Sequence, residues 1–220
     1  MTELKICGIT NKDDALCAAR NGAAALGFIF YPPSPRYITP AHAKQIIFSL
    51  PQEVVTVGVF VNEKSEMIKK VMERCGLDMI QLHGDEPPEF CREFPASMIL
   101  KALELKSDND VNRALDYEVA AVLVDNRHAG LYGGTGKTSN WDLAVRLQNK
   151  KPLILSGGLN TENVIDALKK VAPAGLDINS GVEESPRKKD QQKLAYLFNV
   201  IRAADTKPEH SPLIFQKRRL

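Results

Sequence analysis

No stretch of this 220-residue sequence is long and apolar enough to cross a bilayer, since none reaches the roughly 18–20 residues that such a helix needs. Neither an apolar signal core nor an Arg- and Ser-rich transit segment stands at Met1–Lys5. An excess of charge of one sign is also missing: the formal net charge is +2, and basic residues cluster on none of the predicted strands and helices, although the tail carries Lys217–Arg219. We therefore expect a cytoplasmic protein with no membrane and no nucleic-acid partner.

Cysteine is scarce and scattered. The four residues, Cys7, Cys17, Cys75 and Cys91, form no Cys-x-x-Cys pair and have no histidine at the spacing of a metal site. Such cysteines are typical of reduced thiols in a cytosol. We expect no metal ion.

Strand-like and helix-like segments alternate along the chain. Val54–Val61 has the pattern of a strand buried on both faces, and Lys64–Arg74 that of an amphipathic helix. Eight such units in about 200 residues predict an α/β fold, a single (β/α)8 TIM barrel. The alternative is an open doubly wound sheet, which would carry its Gly-rich loop after the first strand and not after late ones.

We expect a single catalytic domain over residues 1–204, with no linker and no low-complexity segment. Residues 205–220, which include Pro208 and Pro212, fall outside the eight units, so we expect a peripheral or disordered tail. The apolar run Leu213–Phe215 could instead dock on the barrel.

Cys7 stands at the end of the first predicted strand, Leu4–Cys7, just before a loop. In parallel α/β folds, the loops that leave the C-terminal ends of the strands carry the chemistry. A thiol there is a candidate base or nucleophile, because its usual pKa of about 8.5 can be shifted downward by its surroundings. The alternative is a small buried hydrophobic side chain.

Three other polar residues follow predicted strands. Asp125 closes an apolar strand, where a carboxyl group can keep its proton and act as an acid, or else cap the next loop. Arg36 lies in a proline-rich loop, and a guanidinium can bind a carboxylate with two hydrogen bonds. His83 fits a structural role as well as a catalytic one, and we expect Asp177 to support the site from the rim.

Two Gly-rich turns follow strands seven and eight. Their backbone N–H groups are uncrowded and helix N-termini follow, which predicts a site for the phosphate of a small molecule. The alternative is that the glycines only make tight turns. The residues that we expect to bind the phosphate are Gly157, Gly158, Ser180 and Gly181.

The run Gly133–Thr138 ends in Gly-Lys-Thr, as a nucleotide-binding Walker A loop does. Its spacing fails, because position 131 is leucine where that motif needs glycine. We expect a mobile loop that closes over the ligand.

Seven motifs stand in register between Leu4 and about Ala203: Lys5–Thr10, Ser34–Arg36, Val57–Asn62, Gln81–Glu86, Gly133–Gly136, Ser156–Leu159 and Asp177–Glu183. Together they resemble the phosphoribosylanthranilate isomerase family of tryptophan biosynthesis. The isomerase family of histidine biosynthesis is similar but has Asp where this chain has Cys7. Two positions depart from the family pattern: Asn179, where Ser is more frequent, and the longer tail after Asp205.

The resemblance implies an Amadori rearrangement of N-(5-phosphoribosyl)anthranilate to the aminoketose 1-(2-carboxyphenylamino)-1-deoxyribulose 5-phosphate. Asp125 would be the general acid and Cys7 the general base, and no cofactor would be needed, because the iminium intermediate takes up the electrons. Arg36 would hold the anthranilate carboxylate, His83 would contact the substrate, and the glycine turns would hold its phosphate. We expect a monomer, with a dimer as the alternative.

Two other functions remain open at this stage. One is a lyase or aldolase that uses a Schiff-base lysine, for which Lys101 is the candidate, although the sequence gives it no evident desolvated setting. The other is a non-catalytic module that binds a phosphorylated sugar and uses the basic tail as its contact.

Overall fold

Eight parallel strands close into a barrel in the computed structural model, which describes residues 2–125, 140–205 and 213–217. The strands are β1 Glu3–Ile6, β2 Ala25–Ile29, β3 Val55–Phe60, β4 Met79–Leu82, β5 Ile99–Leu103, β6 Ala121–Val124, β7 Leu153–Leu155 and β8 Gly175–Ile178. Each strand pairs with the next in sequence, and β8 closes the ring by pairing with β1. The predicted TIM barrel is confirmed.

A helix follows every strand. The helices are α1 Lys12–Asn21, α2 Pro40–Ile47, α3 Ser65–Cys75, α4 Pro88–Cys91, α5 Asp108–Ala114, α6 Trp141–Gln148, α7 Val164–Val171 and α8 Gln191–Ala204. The fourth helix is short, because the amides of Glu93 and Phe94, just beyond its end, bond only three residues back, in tighter turns. Within the described ranges, no helix is long and apolar enough to span a membrane.

Alternate residues of each strand face opposite sides of the barrel wall. Leu26 and Phe28 face outward and belong to the larger core cluster, which packs the wall against the helices. Ala25 and Met79 belong to the smaller cluster inside the barrel. Near the C-terminal ends of the strands, the same alternation turns polar side chains inward, so the upper interior is polar: Lys5, Gln81 and Asp177.

The described part of the tail, residues 213–217, lies across the N-terminal end of the barrel. Ile214 and Phe215 are buried in the inner cluster. The Glu3 carboxylate accepts hydrogen bonds from the backbone N–H groups of both residues, and Lys217 Nζ lies 2.9 Å from Asp78 Oδ2. This segment therefore covers the end of the barrel opposite to the loops in which the sequence places the chemistry.

Candidate active site

A cavity opens at the C-terminal ends of the strands, and most of the predicted site residues line it. Cys7 reaches it from the end of β1 and Asp125 from the end of β6. Two residues so far apart in the chain meet because the barrel brings all its strand ends to one rim. The other predicted residues on the cavity wall are Arg36, His83, Gly157, Gly158 and Ser180.

Cys7 is 4% exposed and faces a buried cation. Burial raises the pKa of its thiol, and the ammonium of Lys5 acts most strongly against that rise. Lys5 itself is fully buried, and its Nζ lies 2.9 Å from Asp177 Oδ2. Although burial lowers the pKa of Lys5, the charges of Asp177 and Cys7 outweigh it, so that the pKa is raised. The sequence could have indicated this pair, because residues 5 and 7 fall on the same face of a strand.

Asp125 lies beside a histidine whose second ring nitrogen is already engaged. His83 Nε2 is 3.2 Å from Asp125 Oδ2. On the other side of the ring, Gln81 Nε2 lies 2.6 Å from His83 Nδ1. Because the amide occupies the Nδ1 side of the ring, Nε2 is the ring nitrogen that faces the carboxyl group. His83 is thus placed to hold the Asp125 side chain at the cavity wall.

Arg36 is clamped by a carboxylate that the sequence analysis did not select. Its Nε and Nη2 donate to Glu183 at 2.8 and 2.6 Å, and this pairing raises the pKa of Arg36. Lys189 binds the same carboxylate at 3.1 Å. Glu183 and Lys189 belong to a small antiparallel hairpin, β9 Glu183–Ser185 and β10 Lys188–Lys189. The sequence does not predict this hairpin, because its strands lack alternating apolar residues. Two cations held by one anion leave this corner of the cavity positive.

The turn after β7 has the geometry expected of an anion site. Gly157 and Gly158 have φ angles of +83° and +64°, in the left-handed region that favours glycine. Within the described ranges, the backbone N–H groups of Gly157, Gly158 and Ser180 donate to no acceptor. They are therefore available to a phosphate at the rim.

Gly181 has another position. It does not line the cavity but forms a bridge with Asn160. A Cβ atom on Gly181 would lie 1.9 Å from the carbonyl oxygen of Leu159, so only glycine lets the loops after β7 and β8 meet. That the N–H group of Gly181 also binds the phosphate stays a prediction.

Comparison with known proteins identifies the barrel. A family model described as N-(5'phosphoribosyl)anthranilate (PRA) isomerase matches residues 4–200. The chain belongs to this family. The family, the barrel fold and the isomerase class that the sequence motifs predict are therefore confirmed.

Relatives from several organisms agree with the family model over nearly the whole chain. An N-(5'-phosphoribosyl)anthranilate isomerase from Syntrophus aciditrophicus is 52% identical over 202 residues, covering 92% of this chain and 88% of the relative. One from Pelobacter propionicus is 43% identical over 209 residues, covering 95% of this chain and 99% of the relative.

Solved structures of the family also superpose closely. The crystal structure of the enzyme from Thermotoga maritima has a TM-score of 0.86 and 43% identity, and covers 92% of this chain and 100% of that chain. A family structure in complex with reduced 1-(o-carboxyphenylamino)-1-deoxyribulose 5-phosphate has a TM-score of 0.82 and 40% identity, with the same coverage.

Lys101 is buried, contrary to the prediction that it has no desolvated setting. It is fully buried in this phosphoribosylanthranilate isomerase barrel, and its Nζ lies 2.7 Å from Glu86 Oε2. Its neighbours Leu100 and Ala102 belong to the inner cluster, so Lys101 points out of the barrel into the layer between wall and helices. A Schiff-base role fails because the amine is ion-paired on the wrong side of the wall.

Two buried side-chain oxygens on the cavity wall lack a hydrogen-bond donor in the described part of the chain. Within the described ranges, Gln81 Oε1 and Asp177 Oδ1 accept no hydrogen bond. Buried polar atoms are nearly always paired in folded proteins, so these two atoms are suited to hydroxyl groups of a ligand. In the same part of the chain, no group of three His, Cys, Asp or Glu side chains is placed to hold a metal ion. The predicted closing loop, Gly133–Thr138, lies outside the described residues.

Proposed function

We propose that this phosphoribosylanthranilate isomerase performs the Amadori rearrangement of N-(5-phosphoribosyl)anthranilate with Asp125 as general acid and Cys7 as general base. The observation that supports these roles is that both side chains line one cavity, together with Arg36 and the glycine turn after β7. The substrate has an anion at each end and a sugar between them. A cavity with cationic and N–H donor groups around an acid and a base matches that distribution.

The first step opens the ring. Protonated Asp125 would give its proton to the ring oxygen as the bond between that oxygen and C1′ breaks. The lone pair of the anthranilate nitrogen forms the C1′=N⁺ iminium bond. His83, with Nε2 3.2 Å from Asp125 Oδ2, would stabilise the carboxylate that this transfer leaves behind.

The second step moves a proton from carbon. The Cys7 thiolate would remove the proton from C2′, and the electron pair of that bond would neutralise the iminium to give an enolamine. Tautomerisation of the enolamine produces the aminoketose. Because the substrate nitrogen takes up the electrons, no cofactor is required.

Both ends of the substrate would be fixed during these steps. The N–H groups of Gly157, Gly158 and Ser180 would hold the phosphate. Arg36 would bind the anthranilate carboxylate with the N–H groups that Glu183 does not use, since Nε and one N–H of Nη2 are already engaged. The N–H groups of Nη1 and the second N–H of Nη2 form the end-on edge of the guanidinium, which can still bind a carboxylate with two hydrogen bonds. Holding both ends turns binding energy into alignment of C2′ with the thiol.

The remaining features of this proposal concern assembly and location. We propose that the chain is a cytoplasmic monomer that takes a phosphorylated small molecule and no macromolecular partner. The four cysteines support a reducing compartment, because the structure leaves all of them as buried free thiols.

A fluorescence assay tests the catalytic roles. Substrate made in situ from anthranilate and phosphoribosyl pyrophosphate loses its fluorescence as it isomerises. We expect Cys7→Ala and Asp125→Ala each to lower kcat by at least about 10²–10⁴-fold, the usual contribution of a positioned acid or base. Binding of the reduced product analogue should persist in both variants. Full turnover in Cys7→Ala would reject the base, and full turnover in Asp125→Ala would reject the acid.

A further inference from the structure

A buried ammonium stands beside the proposed base, on the side away from the cavity. Lys5 is fully buried, and its side chain does not line the cavity, whereas Cys7 does. A single carbon placed on Gly27 would touch both groups, at 2.7 Å from Cys7 Sγ and 3.1 Å from Lys5 Nζ. The two groups therefore lie against the same point beside β2, and a side chain larger than that of glycine at residue 27 would meet both of them.

The ammonium has donors to spare. It carries three N–H bonds, and Asp177 Oδ2 accepts one of them at 2.9 Å. Among the residues that the structure describes, no second oxygen or nitrogen accepts from Lys5. A negative charge on the adjacent sulfur is the remaining partner that would satisfy it.

The other charged groups around Cys7 are less able to serve. Lys189 donates to the carbonyl and side-chain oxygens of Asn179 at 3.0 and 2.9 Å and to Glu183 at 3.1 Å, so its donors are used. Arg36 donates to the same Glu183, and its remaining N–H groups are those that we propose for the anthranilate carboxylate. Asp177 is anionic and acts against a thiolate. Lys5 is thus the cation whose charge is directed at the sulfur.

We propose that Lys5 is a positioning residue for the rearrangement, whose buried ammonium is the counter-ion that stabilises the thiolate form of Cys7. This inference rests on the proposed role of Cys7 as base, and it adds the cation that stabilises the thiolate. Burial raises the pKa of this thiol even with Lys5 beside it, so loss of the cation would raise the pKa further and leave less thiolate to accept the proton from C2′. Asp177 lies opposite Lys5 on the neighbouring strand β8, and its carboxylate keeps the fully buried ammonium charged.

The test measures the thiol in the free enzyme, without substrate. Alkylation by iodoacetamide follows the thiolate fraction, and its rate at Cys7 can be followed by mass spectrometry of the peptide from pH 6 to 10. In Lys5→Met we expect alkylation of Cys7 at pH 8 to slow on the order of tenfold, with its midpoint moved to higher pH. The kcat at pH 8 should fall by a similar factor and recover as the pH rises, with KM little changed.

Lys5→Met leaves Asp177 buried without its cation, so a second variant protects the test against misfolding. Lys5→Met/Asp177→Asn removes both charges and keeps the shapes, and we expect Cys7 to react more slowly than in the wild type here too. The matched control is Lys101→Met/Glu86→Gln, which removes another buried pair at 2.7 Å on the outer side of the wall and should leave the reaction of Cys7 unchanged.

Wild-type rates and midpoints in both Lys5 variants would overturn the inference, as would an equal slowing in the control. A loss of kcat that is the same at every pH would assign Lys5 a purely structural role. Failure of the proposed function appears separately: a wild-type chain that does not isomerise the substrate refutes that function, while the alkylation data still report on Lys5.

Discussion

The structure sets an upper limit on the stability that is lost when the tail segment, residues 213–217, no longer packs on the N-terminal end of the barrel. The perturbation is Phe215→Ala, compared with a chain that ends at residue 212. In an ordinary core, Phe→Ala costs about 3–5 kcal/mol. Here the loss cannot exceed the free energy of docking the segment, because a weakened segment can leave the surface and regain its conformational freedom.

That docking free energy follows from a few contributions. Burying Ile214 and Phe215 contributes about 1.5–3 kcal/mol each, and the bonds to the Glu3 carboxylate contribute about 1.5–3 kcal/mol. Fixing five backbone residues opposes this by about 5 kcal/mol. The net stabilisation lies between about 0 and 4 kcal/mol and is centred on about 2 kcal/mol, and losing about 2 kcal/mol lowers the Tm of a chain of this size by roughly 4–8 °C.

Thermal unfolding followed by circular dichroism at pH 7 measures this change in Tm. We expect Phe215→Ala and the truncated chain to have Tm values within a few degrees of each other, both below the wild type. Leu213→Ala, at a side chain that is 62% exposed, is the control and should not change Tm. The kcat at 25 °C should be unchanged, since the segment lies at the end opposite to the cavity. A Phe215→Ala protein clearly less stable than the truncated one would refute the reasoning.

Two other changes have calculable outcomes. Arg36→Ala should raise KM by about 10–100-fold with kcat little affected, because one charge-assisted contact with the substrate is lost. Glu183 should keep a partner in Lys189. Exposed Arg74→Ala is the control, and an effect confined to kcat would contradict the anchoring role. Burial raises the pKa of Cys91 to about 11, so above about pH 8.5 the unfolded chain loses this proton first and stability falls as pH rises. By pH 10 the loss is about 2 kcal/mol. Urea unfolding of Cys91→Ala at pH 7 and 10 should therefore have a smaller pH dependence than the wild type, and an unchanged dependence would show that this thiol is not responsible.

The fold was predictable because its signals are local. Buried parallel strands are continuous apolar runs, as in β3 Val55–Phe60, and short helices with polar outer faces separate them. Once eight such units are counted, closure of the barrel brings strand ends together without any further knowledge of contacts. That is why the sequence alone predicts that Cys7 and Asp125, which are far apart in the chain, meet at one rim.

The missed features depend on which face of the wall a side chain takes and on short polar segments. The pairing of Lys101 with Glu86 in the outer layer has no sequence signature. Glu183 and Lys189 lie in a hairpin of two very short charged strands, joined through Arg187 at φ +76°, where no apolar periodicity exists. For Lys5, the proposed counter-ion of Cys7, strand alternation is the one sequence signal, because residues 5 and 7 lie on the same face of a strand.

A crystal structure of this chain with the reduced product analogue bound tests the central claim most directly. The account predicts Cys7 Sγ within about 3.5 Å of the carbon that corresponds to C2′. It also predicts the Asp125 carboxyl group within about 3.2 Å of the oxygen that closes the sugar ring, on the opposite side of the sugar. An analogue whose C2′ lies out of reach of the thiol, or whose phosphate lies away from Gly157 and Gly158, would contradict the account.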